Sequence, residues 1–335
     1  MSHRPVRVAV VGVGHVGAFH ANIYKKLFPR AELVAVCDSN QQRAKEIAHA
    51  IGCRAFADAR QLVGQAEAVS VCVPTSAHYQ VAKPLLEAGL HVLIEKPITP
   101  SLKEADVLLA IAKRRKLILQ VGHIERFNAA IQAAKAYLAH PRFIEAHRLS
   151  SYPFRGTDVS VVLDVMIHDL DLVLALVGSH PLRVDAVGIP VLSKSEDLAN
   201  ARLVFGSGCV ANLTASRVSD EALRRIRVFQ EDAYLSIDYK AQTVELVRLR
   251  RGRGRQSEKT ATGIERTSID VQRRAPLDEQ LAAFIDAVRT GTRPLVSGEE
   301  AREALALALR IEQAMRRPLA TSDKRQATRN SKKTR

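Results

Sequence analysis

The stretch Val6-Arg7-Val8-Ala9-Val10-Val11-Gly12-Val13-Gly14-His15-Val16-Gly17 decides the fold, together with Leu33 to Cys37 and the acid that ends that second run, Asp38. Val6–Val11 is a short apolar run, as in a strand buried on both faces. A helix is predicted from Ala18 to Leu27. The glycines between them keep the spacing G-x-G-x-x-G, and Asp38 follows Gly17 by 21 residues. In that order the elements form a dinucleotide-binding βαβ unit. One glycine makes the tight turn, one lets the backbone approach the pyrophosphate, and one lets helix and strand pack closely. The helix start adds free N–H groups and the positive end of its dipole. A carboxylate at Asp38 accepts hydrogen bonds from ribose hydroxyls and repels a 2′-phosphate, which favours NAD over NADP. Arg43, one turn into the next helix, keeps NADP open. Cofactor contacts are therefore expected from Gly12, Val13, Gly14, His15, Val16, Gly17, Asp38 and Arg43.

Working outward, strand and helix alternate through the first half. Glu32–Cys37, Ala68–Val73, His91–Ile94 and Ile118–Val121 read as strands. Gln41–Ile51, Tyr79–Ala88 and Ser101–Arg115 read as helices, the last with a Ser101/Glu104 capping box. Such alternation gives a parallel sheet whose ligands bind beyond the carboxyl ends of the strands. The pattern changes near residue 140. Phe143–Ser151, Arg183–Val191, Ala199–Phe205, Cys209–Ser216, Ile226–Gln230, Ala233–Asp238 and Thr243–Arg250 read as strands. Asp158–Val177, Leu277–Thr290 and Gly298–Arg316 read as helices. Strands in succession with few helices mean a mostly antiparallel, open sheet in an α+β unit. The fold class is α/β: a Rossmann domain over residues 1–125, an α+β domain for substrate and self-association over 126–317, and a basic tail over 318–335.

Bulk properties narrow the classes. A length of 335 residues fits about two domains, and 47% hydrophobic content supplies their cores. No apolar run approaches the roughly 20 residues of a membrane helix, and no apolar signal region precedes Val6. A soluble, cytoplasmic protein is expected. Cys37, Cys53, Cys72 and Cys209 form no metal-ligand spacing, and no metal is expected. The net charge of +15 is local: Arg316–Arg335 carries +7 and Arg248–Lys259 carries +5. Solvated, flexible segments are the expected reading, with no interleaved aromatics for base stacking. Nucleic acid is not an expected partner.

Three clusters carry chemistry. Glu95-Lys96-Pro97 ends a sheet strand, so Lys96 is either a crevice lysine able to stabilise a developing alkoxide or a surface loop lysine. Asp164 and His168 stand four apart in a predicted helix, where a carboxylate can orient an imidazole that acts as general base. A structural histidine beside an acid cluster is the other reading. His123, Glu125, Arg126 and Asn128 follow the last sheet strand, at the mouth of the crevice. Arg126 suits a phosphate through bidentate hydrogen bonds, or else an inter-domain ion-pair network.

The series Gly12-x-Gly14-x-x-Gly17, Asp38, Pro74-Thr75, Glu95-Lys96-Pro97 and Asp164-x-x-x-His168 resembles the glucose–fructose oxidoreductase / inositol dehydrogenase / MocA family, in register over residues 5 to 317. The resemblance implies NAD-dependent oxidation of a secondary hydroxyl on a sugar or cyclitol, and a homodimer or homotetramer built on the open sheet. It places Lys96, Asp164 and His168 in the catalytic site. Pro74, Thr75, His78, Glu95 and Lys96 join the cofactor contacts, and His123, Arg126, Asn128 and Tyr152 join Lys96 and His168 as substrate contacts. Val121–Asn128 with Asp164–Asp171 is most similar to bacterial enzymes oxidising C3 of UDP-N-acetylglucosamine. That similarity implies a partner aminotransferase and a place in lipid A precursor synthesis. An inositol or simple-sugar dehydrogenase is the nearest alternative. A non-catalytic NAD sensor with a nucleic-acid-binding tail is the alternative from another class.

Overall fold

The computed structural model describes residues 4–152, 159–251 and 261–316. The first sheet holds β1 (Val6–Val11), β2 (Ala31–Cys37), β3 (Arg54–Phe56), β4 (Ala68–Val71), β5 (His91–Ile94) and β6 (Leu119–Val121). They run in the order β3-β2-β1-β4-β5-β6, every neighbouring pair parallel. Helices α1 (His15–Lys26), α2 (Gln41–Ile51), α3 (His78–Glu87) and α4 (Leu102–Arg115) connect them. β4 and β5 are almost wholly buried, as strands covered on both faces must be. Strand order reverses between β1 and β4, so the ligand crevice opens above that pair. The three-residue β3 was not predicted, being too short to show a period.

The second sheet begins after α5 (Ala129–Ala134). It holds β7 (Phe143–Leu149), β8 (Pro181–Ile189), β9 (Leu198–Phe205), β10 (Val210–Ser216), β11 (Leu223–Phe229), β12 (Ala233–Asp238), β13 (Thr243–Arg251) and β14 (Ala261–Ile269). The order is β14-β13-β12-β11-β7-β10-β9-β8, with β7 and β10 parallel and the other pairs antiparallel. Helix α6 (Ile167–Val177) covers one face: Ile167 and Leu170 pack with Ile144, Ala146, Ile226 and Val228. The other face carries a polar row, including Arg227–Glu145 and Arg225–Asp238 ion pairs.

Two helices near the end of the described chain, α7 (Pro276–Thr290) and α8 (Gly298–Met315), tie the sheets together. Leu281, Phe284 and Ile285 of α7 pack with Val6, Val8 and Val10 of β1, so this helix covers the first sheet although it follows the second. Residues 126–317 thus do not all pack as one unit. α8 joins both cores: Ala301 and Leu305 meet Leu108 and Leu119, while Leu307, Ala308 and Ile311 join the second-sheet core. No helix among the described residues is long and apolar enough to cross a membrane. The predicted tail 318–335 lies outside the described residues, as do Asp158 and residues 252–255 of the arginine-rich loop.

Candidate active site

The glycine turn fits a dinucleotide for three separate reasons. Gly12 has φ +83°, and a side chain there would meet the Cys72 carbonyl at 2.8 Å. A Cβ on Gly17 would stand 1.8 Å from the Gly12 oxygen, so only glycine lets α1 pack against the turn. A Cβ on Gly14 would meet only Arg43 Nη1, at 3.8 Å; the space above it is open for a pyrophosphate. Asp38 ends β2 and braces the turn: Oδ2 accepts from Val13 N at 2.8 Å and Oδ1 from Asn40 N at 2.8 Å. Each oxygen keeps a lone pair for a ribose hydroxyl. His15, Val16 and Arg43 are exposed at the rim of this cradle.

Pro74 and Thr75 begin a 3-10 turn at the end of β4, in the crevice. His78 departs from its expected role. It is buried, with Nδ1 2.8 Å from Pro97 O and Nε2 3.0 Å from Val73 O, so its ring clamps two loops of the crevice to each other. Glu95 lies 3.3 Å from His20 Nε2 and tight beneath Gly122, where a Cβ would come within 2.5 Å of its Oε1. Burial raises the Glu95 carboxyl, but His20 and the Lys96 charge outweigh it and hold the group below its ordinary value. The His20 partnership was not foreseen: it joins α1 to β5, which no local pattern reveals.

The two halves of the chain meet at Lys96. Its Nζ donates to Asp164 Oδ1 at 3.0 Å and to the Asp164 carbonyl. Asp164 stands in one turn of π-helix, Val162–Met166, just before α6. The Asp164 carboxylate is taken by Lys96 rather than by His168, four residues on. Asp164 therefore fixes Lys96, and no hydrogen bond joins it to His168, whose Nδ1 is unpartnered. The rings of His168 and His123 meet edge to face at 6.2 Å, and both nitrogens of buried His123 are without a hydrogen-bond partner. Burial, then the Lys96 and Arg126 charges, push His123 down to about 3. Burial, then Lys96 and Arg148, hold His168 well below 6.5, hence neutral and able to accept a proton.

Behind His168, Arg148 on β7 grips Asp169 with Nε and Nη2, both at 2.9 Å, and reaches Glu125 at 2.9 Å. Its guanidinium lies 5.2 Å from the Tyr239 ring centroid. Two other expected substrate contacts are corrected. Arg126 is buried, paired with Asp171 at 3.4 Å and Glu300 at 3.1 Å, and so serves the inter-domain network. Asn128 caps α5, and its amide donates to Glu125 Oε2 and the Tyr239 carbonyl, which uses both N–H groups. Tyr152 is half-buried beyond β7.

Residues 6–123 match the model of the NAD-binding Rossmann fold of this oxidoreductase family, and residues 130–236 match the GFO/IDH/MocA C-terminal domain. The chain is 39% identical to UDP-N-acetylglucosamine 3-dehydrogenase of Acidithiobacillus ferrooxidans over 92% of its length and 97% of the relative. A crystal structure of the Acidithiobacillus ferrooxidans dehydrogenase superposes with a TM-score of 0.86, at 38% identity, covering 93% and 98% of the two chains. Myo-inositol 2-dehydrogenase of Thermotoga maritima is 28% identical over 90% of this chain and 94% of its own. With the Rossmann cradle and these matches across nearly its whole length, the chain belongs to the Gfo/Idh/MocA family of NAD-binding oxidoreductases.

Proposed function

We propose that this protein oxidises the C3 hydroxyl of UDP-N-acetylglucosamine to the 3-keto sugar. The observation that carries the reading is the meeting of Lys96, Asp164, His168 and His123 beside the NAD cradle, in a chain so similar to a dehydrogenase of that substrate. NAD, when bound, supplies the hydride acceptor. His168 takes the hydroxyl proton, which its neutral state permits. Lys96 places a positive charge where negative charge develops on oxygen. Asp164 holds that ammonium in position from the other half of the chain. His123, whose two buried ring nitrogens have no hydrogen-bond partner, is the proposed contact for a substrate polar group. Tyr152 stays a proposed substrate contact.

The uncovered face of the second sheet is proposed to bury against a second copy in a homodimer or homotetramer. The 3-keto product suits a partner aminotransferase and the lipid A precursor route. The test combines NAD and UDP-N-acetylglucosamine, following NADH absorbance and the sugar's mass. Loss of two hydrogens from the sugar supports the reading. Oxidation of myo-inositol with none of the nucleotide sugar transfers it to the inositol branch.

A further inference from the structure

Among the cations around His168, one has no carboxylate partner among the described residues. Lys96 is paired with Asp164, Arg148 with Asp169 and Glu125, and Arg126 with Asp171 and Glu300. Arg224, on β11, is exposed and has no carboxylate in ion-pair range among the described residues. Its neighbours on the same strand are ion-paired: Arg225 with Asp238 at 3.6 Å and Arg227 with Glu145 at 3.1 Å, both on the open face.

Register puts Arg224 on the other face. Ile226 and Val228 point into the core beneath α6, and Arg224 shares their parity. Its direct cross-strand partner is Arg148, the same arginine that holds Asp169 next to His168. Like charges directly opposite on one face destabilise a sheet. Arg148 is ion-paired with two carboxylates, whereas Arg224 has none in range among the described residues. The position of that charge agrees with its reaching His168, whose proton affinity it lowers after burial, Lys96, Arg148 and His123.

We infer that Arg224 receives the diphosphate of a nucleotide-sugar substrate. The inference rests on the function proposed above and gives the anionic end of that substrate the receptor that Arg126 cannot be. A diphosphate hangs from C1 of the sugar, two ring carbons from C3, so its receptor must lie near the proton acceptor and beside, not within, the Lys96–Asp164 pair. Arg224 stands directly across from Arg148, whose partner Asp169 follows His168 in the chain, and so is the exposed cation that register brings to this end of the site. A free sugar or cyclitol has no group that uses it.

The test uses the full-length, NAD-loaded protein and the variants Arg224→Gln and Arg224→Lys. UDP-N-acetylglucosamine turnover is measured, together with inhibition by UDP alone. Loss of a charge-assisted contact weakens binding roughly ten- to a hundredfold. The expected result is that rise in KM and in the UDP inhibition constant for Arg224→Gln, with the loss in KM far exceeding that in kcat. Arg224→Lys recovers part of it, and added salt weakens UDP binding more in the parent than in the glutamine variant. Wild-type turnover with KM and UDP inhibition unchanged in Arg224→Gln overturns the inference and leaves the nucleotide-sugar reading standing. Turnover of free sugars alone, indifferent to UDP, overturns both. NADH affinity equal to the parent's shows that the variants are folded.

Discussion

Alanine at Gly14 and alanine at Gly17 should fail in different ways, because the two glycines are needed for different reasons. At Gly17 the added Cβ would sit 1.8 Å from the Gly12 oxygen, about 1.6 Å inside ordinary contact. That oxygen is backbone and cannot swing aside, so α1 must recede. The helix is anchored by buried Ala21 and Tyr24, and Tyr24 shares a 2.7 Å hydrogen bond with Ser70 on β4. Overpacking of this kind costs about 1–3 kcal/mol, or more where backbone must move. At Gly14 the nearest atom is the end of a flexible arginine at 3.8 Å, so the apoprotein should accept alanine unchanged. The methyl instead fills space that the pyrophosphate needs. Thermal melting without cofactor and NADH fluorescence titration separate the cases. Gly17→Ala is expected to melt several degrees lower and to bind NADH weakly. Gly14→Ala is expected to keep the parent's melting temperature and still lose roughly tenfold or more in NADH affinity. Parental NADH affinity in Gly14→Ala would refute the assignment of the cradle.

Three further outcomes follow from the geometry. Lys96→Met should lower kcat by roughly a hundred- to a thousandfold, the scale for losing one preorganised charge at a developing oxyanion, while NADH titration stays near the parent; undiminished turnover would remove Lys96 from the chemistry. Because His168 is held well below its ordinary 6.5, kcat/KM should stay flat as pH falls from 7 to 6 and decline only in stronger acid, where the base protonates. An acid limb centred near 6.5 contradicts the site's electrostatics. Phe284→Ala, fully buried on α7, should cost about 3–5 kcal/mol in denaturant unfolding and weaken NADH binding with it, since α7 supports β1; a stable protein with intact NADH binding would detach α7 from the first sheet.

Much of this molecule is legible from residues alone, for identifiable reasons. The limits of β1, α2 and β5 follow from apolar runs and turn signals that are local. The NAD cradle follows because its glycines answer to close approach within one βαβ unit. Partnerships across distance are another matter. Arg126 in a charged loop looks the same whether it awaits a phosphate or meets Asp171 and Glu300, 45 and 174 residues away. Asp164 and His168 look like a pair at a four-residue offset, but the carboxylate is claimed by Lys96, 68 residues away. The apolar face of α7 announces that it packs somewhere, but not that it returns to β1. Strand β14 escaped because Ala261–Ile269 mixes polar and small residues with little alternation.

The return of α7 has a consequence for how the protein is made. At about 5–20 residues per second, a ribosome needs roughly 10–30 s to travel from the end of β6 to the start of α7. During that interval the nascent N-terminal sheet lacks the helix that supplies Leu281, Phe284 and Ile285 to its core. The cofactor cradle is synthesised well before the helix that fully supports it. NAD can therefore act as a folding ligand for the fully supported sheet once α7 has emerged, and a chain stopped short of α7 leaves that sheet as bait for chaperones and proteases.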